Sequence, residues 1–453
     1  MKLDPVKFTK ACNPTKTLIV SNESDRNYYI DFTKARTRSI KKDPISLITE
    51  LYRTITVSDD RSHQLFTGHI GCGKSTELRK LQYDLERKGF HVVYLDSSED
   101  LVMSDVDISD ILLTVARQIS KSLAAAKIEL NPTGFQGLLQ KTWNILQSDV
   151  NLSVESDIPV IGKVGASTTG EFSADLLGIG KFSATIKGNP DARSRLRQQL
   201  GLYTDNLIDL INTELLDAAN KALQERGQKG IVAIVDSLDK LENTKERNQA
   251  EQIFSTCGDR LRRFHCHMVY TTPLILNFSN SIGTITSYFG GAPKVLPMVR
   301  VKNCDGQIYP EGIELLRDMV LARAFPDLPS GERAQYLDRV FENQETCDRL
   351  CTVSGGHVRN LLVLLYGCLI QQDPPIDHDT LEEVIATQRD SLVKAINTNE
   401  WELLKHVRDN PRAVVGEAAY QTLLRSLFVF EYLDELGPLF GLNPILAEAE
   451  QLK

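Results

Sequence analysis

The sequence of 453 residues has no apolar run of about 18 residues, and this absence excludes a membrane-spanning helix of ordinary length. Its first residues, Met1-Lys2-Leu3-Asp4-Pro5, lack the apolar core of a secretory signal. No repeat array is evident, so a solenoid or propeller is not expected. We therefore expect a cytoplasmic protein without a membrane partner.

The cysteines lack the spacing of a metal site. Eight are present, at positions 12, 72, 257, 266, 304, 347, 351 and 368, and none forms a C-x-x-C pair. A structural zinc site needs four ligands at suitable spacing, so we expect reduced and mostly buried thiols. Cys72 has two interpretations: a small residue in a tight turn, or a thiol whose oxidation blocks ligand binding.

Positive charge is not in excess. The chain has 52 Lys and Arg against 60 Asp and Glu, which gives a net charge of −8 and a pI of about 5.6. This balance argues against a broadly basic surface for nucleic acid but leaves room for a local basic patch. The length predicts two or three domains, and 42% hydrophobic with 25% charged residues is typical of globular proteins.

The sequence does contain a phosphate-binding motif. Gly68 and Gly73-Lys74-Ser75 stand at the spacing G-x-x-x-x-G-K-S/T of the P-loop, or Walker A motif. From average residue usage, about 0.02 such matches are expected by chance in a chain of this length. Glycines leave room for backbone N–H donors around a triphosphate, Lys74 is expected to reach the β- and γ-phosphates, and the Ser75 hydroxyl to ligate Mg²⁺. The predicted nucleotide-contacting residues are Gly68, His69, Ile70, Gly71, Cys72, Gly73, Lys74, Ser75 and Thr76.

The flanking segments have the strand–loop–helix order that a P-loop needs. Residues 63–67 are predicted as a strand, and residues 77–88 as a helix with leucines on one face. A second strand over 90–95 and a helix over 109–123 follow. This alternation predicts a parallel α/β sheet.

Two other stretches give weaker predictions. Before the motif we predict a helix from Pro44 to Ile55 with Asp43 as its N-cap, and a short strand over 27–32 that contributes to an adenine pocket. Residues 129–190 are rich in Gly, Ser and Thr and are predicted to be an insertion, a helix followed by a hairpin. The insertion is either a contact surface or an ordinary tolerated loop.

A second, acidic motif completes the predicted nucleotide site. Residues 231–235 are apolar and lead to Asp236, the pattern of a buried parallel strand that ends in the Walker B acid. We predict that Asp236 holds Mg²⁺ and that Asp239 orients or deprotonates the attacking water. The alternative is a strand that ends in a turn with two incidental acids. Thr271 or Thr272, at the end of the next strand, is the candidate sensor of the γ-phosphate, against a strand merely capped by threonines.

Two arginine clusters lie on predicted helices. Arg193, Arg195 and Arg197 are spaced by two, which spreads their charges around the helix, so most of them are expected to be solvated. Arg260, Arg262 and Arg263 end the helix before the sensor strand. They are either a solvated helix end or an arginine finger for a neighbouring subunit.

The helical C-terminal half carries a family resemblance. In Ser354-Gly355-Gly356-His357-Val358-Arg359 a Gly-Gly turn opens a helix with Arg359 in its first turn, which resembles the sensor 2 region of AAA+ and STAND-type ATPases. Asp236-Ser237-Leu238-Asp239 is similar to the D-G-L-D box of NACHT-like STAND proteins, with Lys240 where these often have another acid. Two helices and a strand over 401–433 resemble a small winged helix. The resemblance to bacterial STAND/AAA+-like P-loop ATPases of the additional-strand (ASCE) class covers roughly residues 45–450.

This resemblance implies a nucleotide-controlled switch. ADP is expected to hold a closed form and ATP to permit an open or oligomeric one, with Arg359 contacting the γ-phosphate across two subdomains. Bacterial relatives often serve antiphage defence or signalling through a separate effector or sensor, and the chain has no obvious nuclease, protease or TIR-like segment. The expected partners are ATP or ADP with Mg²⁺, further copies of the chain, and a separately encoded protein.

The predicted fold class is α/β: a P-loop NTPase parallel sheet with helices on both faces, then a helical subdomain and a C-terminal winged helix. The predicted boundaries are 1–42 for an N-terminal segment, 43–305 for the ATPase domain, 306–375 for the helical lid subdomain and 376–453 for the winged helix. The residues predicted to be catalytic are Lys74, Asp239, Thr271, Thr272 and Arg359.

Three functions are compatible with these motifs. The first is an ATP-hydrolysing regulatory switch with slow turnover that acts through a partner. The second is a DNA-associated AAA+ ATPase of the origin-recognition or loader type, against which the net charge of −8 and an acidic tail count. The third is a small-molecule kinase, which the long chain and the distant Walker B motif disfavour and which acceptor-dependent ATP consumption would distinguish. ATP is expected from the resemblance, and no N/T-K-x-D signal for guanine is present.

Overall fold

A five-stranded parallel sheet lies at the centre of the part of the chain that the structure describes. The structure, a computed structural model, describes residues 2–38, 44–128, 130, 132–148, 190–242, 248–303 and 305–452. The strands are β1 (His63–Gly68), β2 (His91–Asp96), β3 (Ile231–Asp236), β4 (His267–Thr272) and β5 (Lys294–Leu296), in the order β2-β3-β4-β1-β5. Neighbouring strands are parallel throughout, which confirms the predicted fold class.

Strand β4 separates the P-loop strand from the Walker B strand. Near the carboxyl end of β4, Thr272 pairs with Thr67 of β1, and Tyr270 pairs with Val235 of β3. The P-loop, the two threonines and the acidic motif therefore lie side by side, because the carboxyl ends of parallel strands meet at one edge of a sheet. This is the additional-strand arrangement of P-loop NTPases.

Helices cover both faces of the sheet because alternate strand residues point to opposite sides. In β3, Val232 and Ile234 pack in one core and Ala233 and Val235 in the other. Two helices, Leu47–Val57 and Lys74–Arg87, cover the face on which Val232 and Ile234 lie. The opposite face is covered by the helices Ile108–Ala125, Thr133–Ser148, Pro190–Gly201, Thr204–Leu210, Ala218–Glu225, Gln249–Glu251, Gly258–Leu261 and Ile282–Phe289. Two π-helical segments, Ile211–Asp217 and Gln252–Thr256, lie on the same side. A short helix, Ser97–Asp100, follows β2.

Two sequence predictions about local structure were wrong. The helix before β1 spans Leu47–Val57 and is capped by Ser46, whose hydroxyl accepts the Thr49 N–H, while the predicted cap at position 43 lies outside the described residues. Residues 27–32 form no strand but connect two short helices. Strand β5 has only three residues.

Two of the three arginines at the start of the 190–201 helix are not solvated. Arg193 and Arg197 are paired with Asp105, and Arg197 also with Asp110. These acids lie just before and in the first turn of Ile108–Ala125, so the ion pairs join two helices that sequence spacing alone does not bring together. The insertion begins as predicted with a helix, Thr133–Ser148, whose first N–H groups are capped by Glu214; its predicted hairpin lies outside the described residues.

The N-terminal segment shares a hydrophobic core with the helical subdomain. Phe8, Cys12, Phe32 and Ala35 are buried against Leu316 and its neighbours. We call residues 2–38 the N-terminal arm. Its helices are Pro5–Ala11, Glu23–Arg26 and Thr33–Arg36, and those of the helical subdomain are Pro310–Ala324, Ser330–Arg333, Gln344–Val353 and Val358–Gln371.

The C-terminal part is a winged helix, as predicted. Helices His378–Val393, Thr398–Asp409 and Ala418–Arg425 are followed by the antiparallel hairpin β6 (Val429–Asp434) and β7 (Gly437–Leu442), and by Pro444–Ala447. Val384 and Ile385 of the first of these helices pack into the core of the helical subdomain, so this helix joins the two units. The exact domain boundaries stay predictions.

No helix among the described residues is both long and apolar enough to cross a membrane. The seven cysteines within those residues are free and buried, in line with the expected reduced thiols.

Candidate functional site

The P-loop connects β1 to the helix Lys74–Arg87 through a turn that depends on glycine. Gly71 and Gly73 have φ values of +87° and +105°, in the region that side chains disfavour. The Gly71 and Gly73 N–H groups donate to no acceptor within the described residues, and the first-turn N–H groups of the helix have no intrahelical partner. The loop therefore offers free donors at a helix N-terminus, which is an anion-binding arrangement.

Lys74 lies inside this loop and is almost fully buried. Its ammonium donates to the carbonyl oxygens of Gly68 and His69, both at 2.9 Å, and forms an ion pair of 2.8 Å with Asp239. Burial alone would lower the pKa of Lys74, but the Asp239 carboxylate outweighs it and raises that pKa. The lysine is therefore protonated, and Asp239 occupies the position next to it that an anionic ligand would take.

Asp236 lies at the end of β3 in contact with the first turn of the P-loop helix. It accepts hydrogen bonds from the Ser75 side chain, from the Tyr94 hydroxyl at 2.5 Å, and from the Ser237 N–H at 2.7 Å. Burial, and then the nearby Asp239, raise the pKa of Asp236. Among the described residues no three carboxylate, His or Cys side chains converge as a metal cage. One hydroxyl and one carboxylate instead fit Mg²⁺, which takes few protein ligands and completes its shell with phosphates and water.

The turn between the two acids has an unusual backbone. Ser237 has φ +69°, a left-handed conformation that favours glycine and that side chains disfavour. Its side chain and Ser98 both hydrogen-bond Asp96, and these bonds lower the pKa of Asp96 although its burial acts in the opposite direction. The turn therefore directs Asp239 back over the P-loop towards Lys74.

The two predicted sensor threonines have different surroundings. The Thr271 hydroxyl accepts the Leu238 N–H at 2.9 Å, so it holds the turn that carries Asp239. The Thr272 hydroxyl is buried and has no hydrogen-bond partner within the described structure. Thr271 is thus engaged in positioning the acid, and neither hydroxyl contacts Lys74.

Arg359 lies beside the P-loop, and its contact with the γ-phosphate stays a prediction. Its backbone N–H donates to the Gly71 carbonyl at 3.2 Å, and its Cβ is 2.9 Å from where a Cβ on Gly71 would stand. The guanidinium is exposed and has no side-chain partner in the described part of the chain. An unpaired cation is therefore available at the rim of the loop.

The N-terminal arm contributes a second cation. The Arg36 guanidinium donates to the Cys72 carbonyl at 2.6 Å and is 3.5 Å from Glu77, which also accepts the Tyr29 hydroxyl at 3.1 Å. Next to this cluster is a cavity of about 290 Å³. Its lining includes Thr33, Arg36, Ser46, Ile48, Leu296 and Leu433.

The winged helix also contacts the P-loop. The His69 side chain turns away from the phosphate side, and its Nε2 accepts the Glu431 N–H of β6 at 2.9 Å. Phe430 lies between His69 and His357, at centroid distances of 5.9 and 5.4 Å. Burial lowers the pKa of His69 to about 3 and that of His357 to about 4, so both rings are neutral.

Glu431 predicts a pH dependence of this contact. Its side chain is buried, its Oε2 has no hydrogen-bond partner among the residues that the structure describes, and burial raises its pKa from 4.5 to about 7. The folded chain keeps a proton that the unfolded chain releases, so stability should fall as pH rises from about 4.5 to 7. We expect Glu431→Gln to raise the free energy of unfolding by roughly 3 kcal/mol at pH 8 and hardly at pH 4.5. Urea unfolding at both pH values checks this, with the exposed Glu417→Gln as control; equal gains at both pH values would contradict it.

The arginine cluster at 260–263 lies away from this site, next to the amino-terminal edge of the sheet. Arg260 and Arg263 pair with Asp205, and Arg263 also with Asp209, while Arg262 reaches the Tyr288 carbonyl. Whether any of them serves a neighbouring subunit stays a prediction.

Sequence reasoning missed Tyr94, Arg36 and His357. Tyr94 lies mid-strand in β2, where its spacing predicts only an ordinary strand residue, and Arg79 stacks on its ring at 3.4 Å. Arg36 precedes the P-loop by more than thirty residues. The Gly-Gly-His sequence was a signal for a helix start, but nothing in it indicates that His357 reaches Ile70.

The sheet order, the P-loop and the acidic turn define a P-loop NTPase fold of the additional-strand class. Neither a protein-family model nor a curated protein matches the sequence. Among solved structures, the chain is similar to a Walker-type ATPase of Pyrococcus abyssi, with 12% identity, 92% of this chain and 99% of that chain covered, and a TM-score of 0.42. It is also similar to Cdc6p of Pyrobaculum aerophilum, with 13% identity, 92% and 95% covered, and a TM-score of 0.35. Likeness at this level carries no argument about function, which must come from the site.

Proposed function

We propose that the chain binds ATP with Mg²⁺ at the P-loop and hydrolyses it slowly as a regulatory switch. The observation that carries this proposal is the Lys74–Asp239 ion pair inside the loop. This pair places Lys74, the cation predicted to bind phosphate, in contact with Asp239, the acid predicted to act on the attacking water. An arriving triphosphate replaces Asp239 as the partner of Lys74 and so frees the carboxylate.

The residues have separate roles in this mechanism. The loop N–H groups and Lys74 bind the β- and γ-phosphates. Ser75 and Asp236 would hold Mg²⁺, which when bound would neutralise charge that develops on the phosphate oxygens. Asp239, once released from Lys74, accepts a proton from the attacking water. Arg359 adds positive charge at the γ-phosphate from the helical subdomain.

The base is proposed to occupy the cavity of about 290 Å³ beside the loop. That volume lies at the lower end of the range of ligand pockets, about 300–1,000 Å³. Its walls come from the N-terminal arm, the helix Leu47–Val57 and the end of β5. The predicted contribution of the arm to an adenine pocket is kept, but from Thr33 and Arg36 instead of residues 27–32.

The switch is supported by how the winged helix is docked. Its hairpin contacts the P-loop through Phe430 and Glu431, and the Tyr432 hydroxyl donates to the Gly355 carbonyl at 2.8 Å. Any change in the loop on nucleotide binding therefore acts directly on the contacts of Phe430 and Glu431 with His69. We propose a closed form of this kind with ADP and an open, oligomeric form with ATP that acts through a separate effector or sensor, in the manner of STAND proteins. A role in antiphage defence or signalling belongs to the same proposal.

A DNA-associated ATPase is the second candidate, and the winged helix itself favours it, because helix and wing are common DNA-reading elements. Here the helix Ala418–Arg425 packs on the segment Leu274–Phe278, and Gln421 donates to the Phe278 carbonyl. The hairpin is packed on the P-loop. DNA binding would therefore require release of the winged helix, so both candidates depend on the same opening.

One experiment separates these candidates. The mass in solution is measured by light scattering with ADP, and then with a non-hydrolysable ATP analogue and Mg²⁺. We expect a species near the 50.7 kDa of one chain with ADP and a larger one with the analogue. Lys74→Ala is the control, and its mass should stay near that of one chain both with ADP and with the analogue.

An unchanged mass would contradict nucleotide-driven assembly. Duplex DNA is then added to the analogue-bound protein at low and high salt. Binding that weakens steeply with salt would favour the DNA-associated ATPase, whereas absence of binding would favour a protein partner.

A further inference from the structure

Three consecutive residues of the P-loop are hydrogen-bonded by donors of the N-terminal arm and the helical subdomain. The carbonyl oxygens of Ile70, Gly71 and Cys72 each accept one hydrogen bond from outside the ATPase sheet. The donors are His357 Nε2 at 2.8 Å, the Arg359 N–H at 3.2 Å and Arg36 Nη2 at 2.6 Å. We call these three contacts the brace.

The brace comes from a single packed unit. Arg36 belongs to the N-terminal arm, and His357 and Arg359 open the helix Val358–Gln371, yet the arm and this helix share one hydrophobic core. The contact is close: a Cβ on Gly71 would lie 2.8 Å from His357 Nε2. The outer surface of the loop is thus shaped to fit this unit.

The direction of these carbonyls decides the direction of the phosphate donors. In a trans peptide the N–H points opposite to the carbonyl of the preceding residue. Fixing the carbonyls of Ile70 and Cys72 outward therefore fixes the N–H groups of Gly71 and Gly73 on the other side of the loop. These two N–H groups have no acceptor within the described residues. Without the brace, a glycine-rich loop would sample other peptide orientations.

Further contacts fix the orientation of the two side-chain donors, His357 and Arg36. His357 Nδ1 accepts the Asn360 N–H at 3.1 Å as the helix N-cap, so its single proton is on Nε2 and points at Ile70. The Arg36 guanidinium is buried and paired with Glu77, so its charge is partly neutralised and its geometry is fixed.

We propose that Arg36 and His357 are positioning residues that preorganise the phosphate-binding N–H groups, so that docking of the arm and helical subdomain is a condition for tight polyphosphate binding. This rests on the proposed nucleotide site and adds its regulation. By linkage, a bound polyphosphate strengthens the docking by the same factor. A partner that pulls the helical subdomain away would then release nucleotide without touching the phosphates.

The test uses variants that each remove one donor to the P-loop; Arg36→Met in addition leaves Glu77 without its cation, whereas His357→Asn breaks no ion pair. His357→Asn keeps a good N-cap but is too short to reach Ile70, and it changes no charge at neutral pH. Arg36→Met removes the donor to Cys72, whereas Arg36→Lys keeps one. Tyr432→Phe is the matched control, because it removes a hydrogen bond to a backbone carbonyl at the same junction that is not part of the P-loop.

Affinities for inorganic tripolyphosphate and for ATP are measured by calorimetry with the full chain and Mg²⁺. We expect His357→Asn and Arg36→Met each to weaken tripolyphosphate binding about tenfold or more. His357→Asn should weaken ATP binding in parallel, because His357 does not line the cavity proposed for the base, whereas Arg36 does, so tripolyphosphate is the decisive ligand for Arg36→Met. Arg36→Lys should recover most of the loss, and Tyr432→Phe should change neither affinity. A thermal melt of each variant without ligand shows that it is folded.

The outcomes are distinct. Wild-type affinities in folded His357→Asn and Arg36→Met would overturn the brace while leaving the nucleotide site intact. Loss of ATP binding with unchanged tripolyphosphate binding would also overturn it, because it would place the effect at the base. A wild-type chain that binds neither ligand would refute the proposed function and the brace together.

Discussion

Lys74→Ala is expected to lower ATP affinity by about 10²-fold or more, because two or more charge-assisted hydrogen bonds to phosphate are lost at about 1.5–3 kcal/mol each. In the structure the ammonium is already desolvated and held by the Gly68 and His69 carbonyls and Asp239, so it needs little reorganisation to reach a phosphate. Calorimetric titration with ATP and Mg²⁺ measures the loss.

The control for this variant is Lys88→Ala, an exposed lysine at the C-terminal end of the same helix. It removes the same charge far from the loop and should leave ATP affinity unchanged. Lys74→Ala also leaves the largely buried Asp239 without its cation, so a melt must show that the variant is folded. A folded variant with wild-type ATP affinity would disprove the P-loop assignment.

Asp239→Ala is expected to keep ATP bound while slowing hydrolysis by about 10²–10⁴-fold, the usual contribution of a general base. The structure adds a further expectation. Since Asp239 competes with phosphate for Lys74, its removal should leave ATP affinity equal to that of the wild type or higher. Single-turnover phosphate release and an ATP titration on the same preparation measure the two effects separately.

The control for Asp239 is Glu242→Ala, an exposed acid three residues further along the same loop. It should hydrolyse ATP at the wild-type rate, which shows that a change of net charge near the turn is not sufficient. An Asp239→Ala variant with the wild-type rate would remove this residue from the mechanism. A variant that no longer binds ATP would show that Asp239 supports the loop instead of the water.

Local sequence patterns predicted the parallel-sheet core well because the relevant signals are short in range. The apolar run before Asp236 and the glycine spacing after β1 each specify their own backbone. The alternation of strands and helices was enough to predict a parallel sheet, but the position of β4 between β1 and β3 came only from the structure. Solvation and capping were predicted less well, as Arg197 and Ser46 show, because their partners are chosen by packing.

The acidic turn shows where sequence reasoning reaches its limit. The sequence identified Asp239 as a catalytic candidate, but its ion pair with Lys74 depends on Ser237 in a left-handed conformation and on Thr271, which accepts the Leu238 N–H. The second contact crosses from one strand to its neighbour. A single sequence does not state which strands are neighbours, so it could not state what the acid touches.

The sequence by itself determined which residue types stand at the site, and from them it predicted the chemistry: glycines for a phosphate loop, and Lys74, Ser75 and Asp236 for an anion and Mg²⁺. Its net charge of −8 disfavours a broad nucleic-acid surface. These follow from residue types at fixed local spacing. Only the tertiary structure decided that Arg36 and His357, far apart in the chain, both hold the P-loop from outside. The physical reason is that the N-terminal arm and the helical subdomain bury their apolar faces in one core, and this shared burial places the two donors.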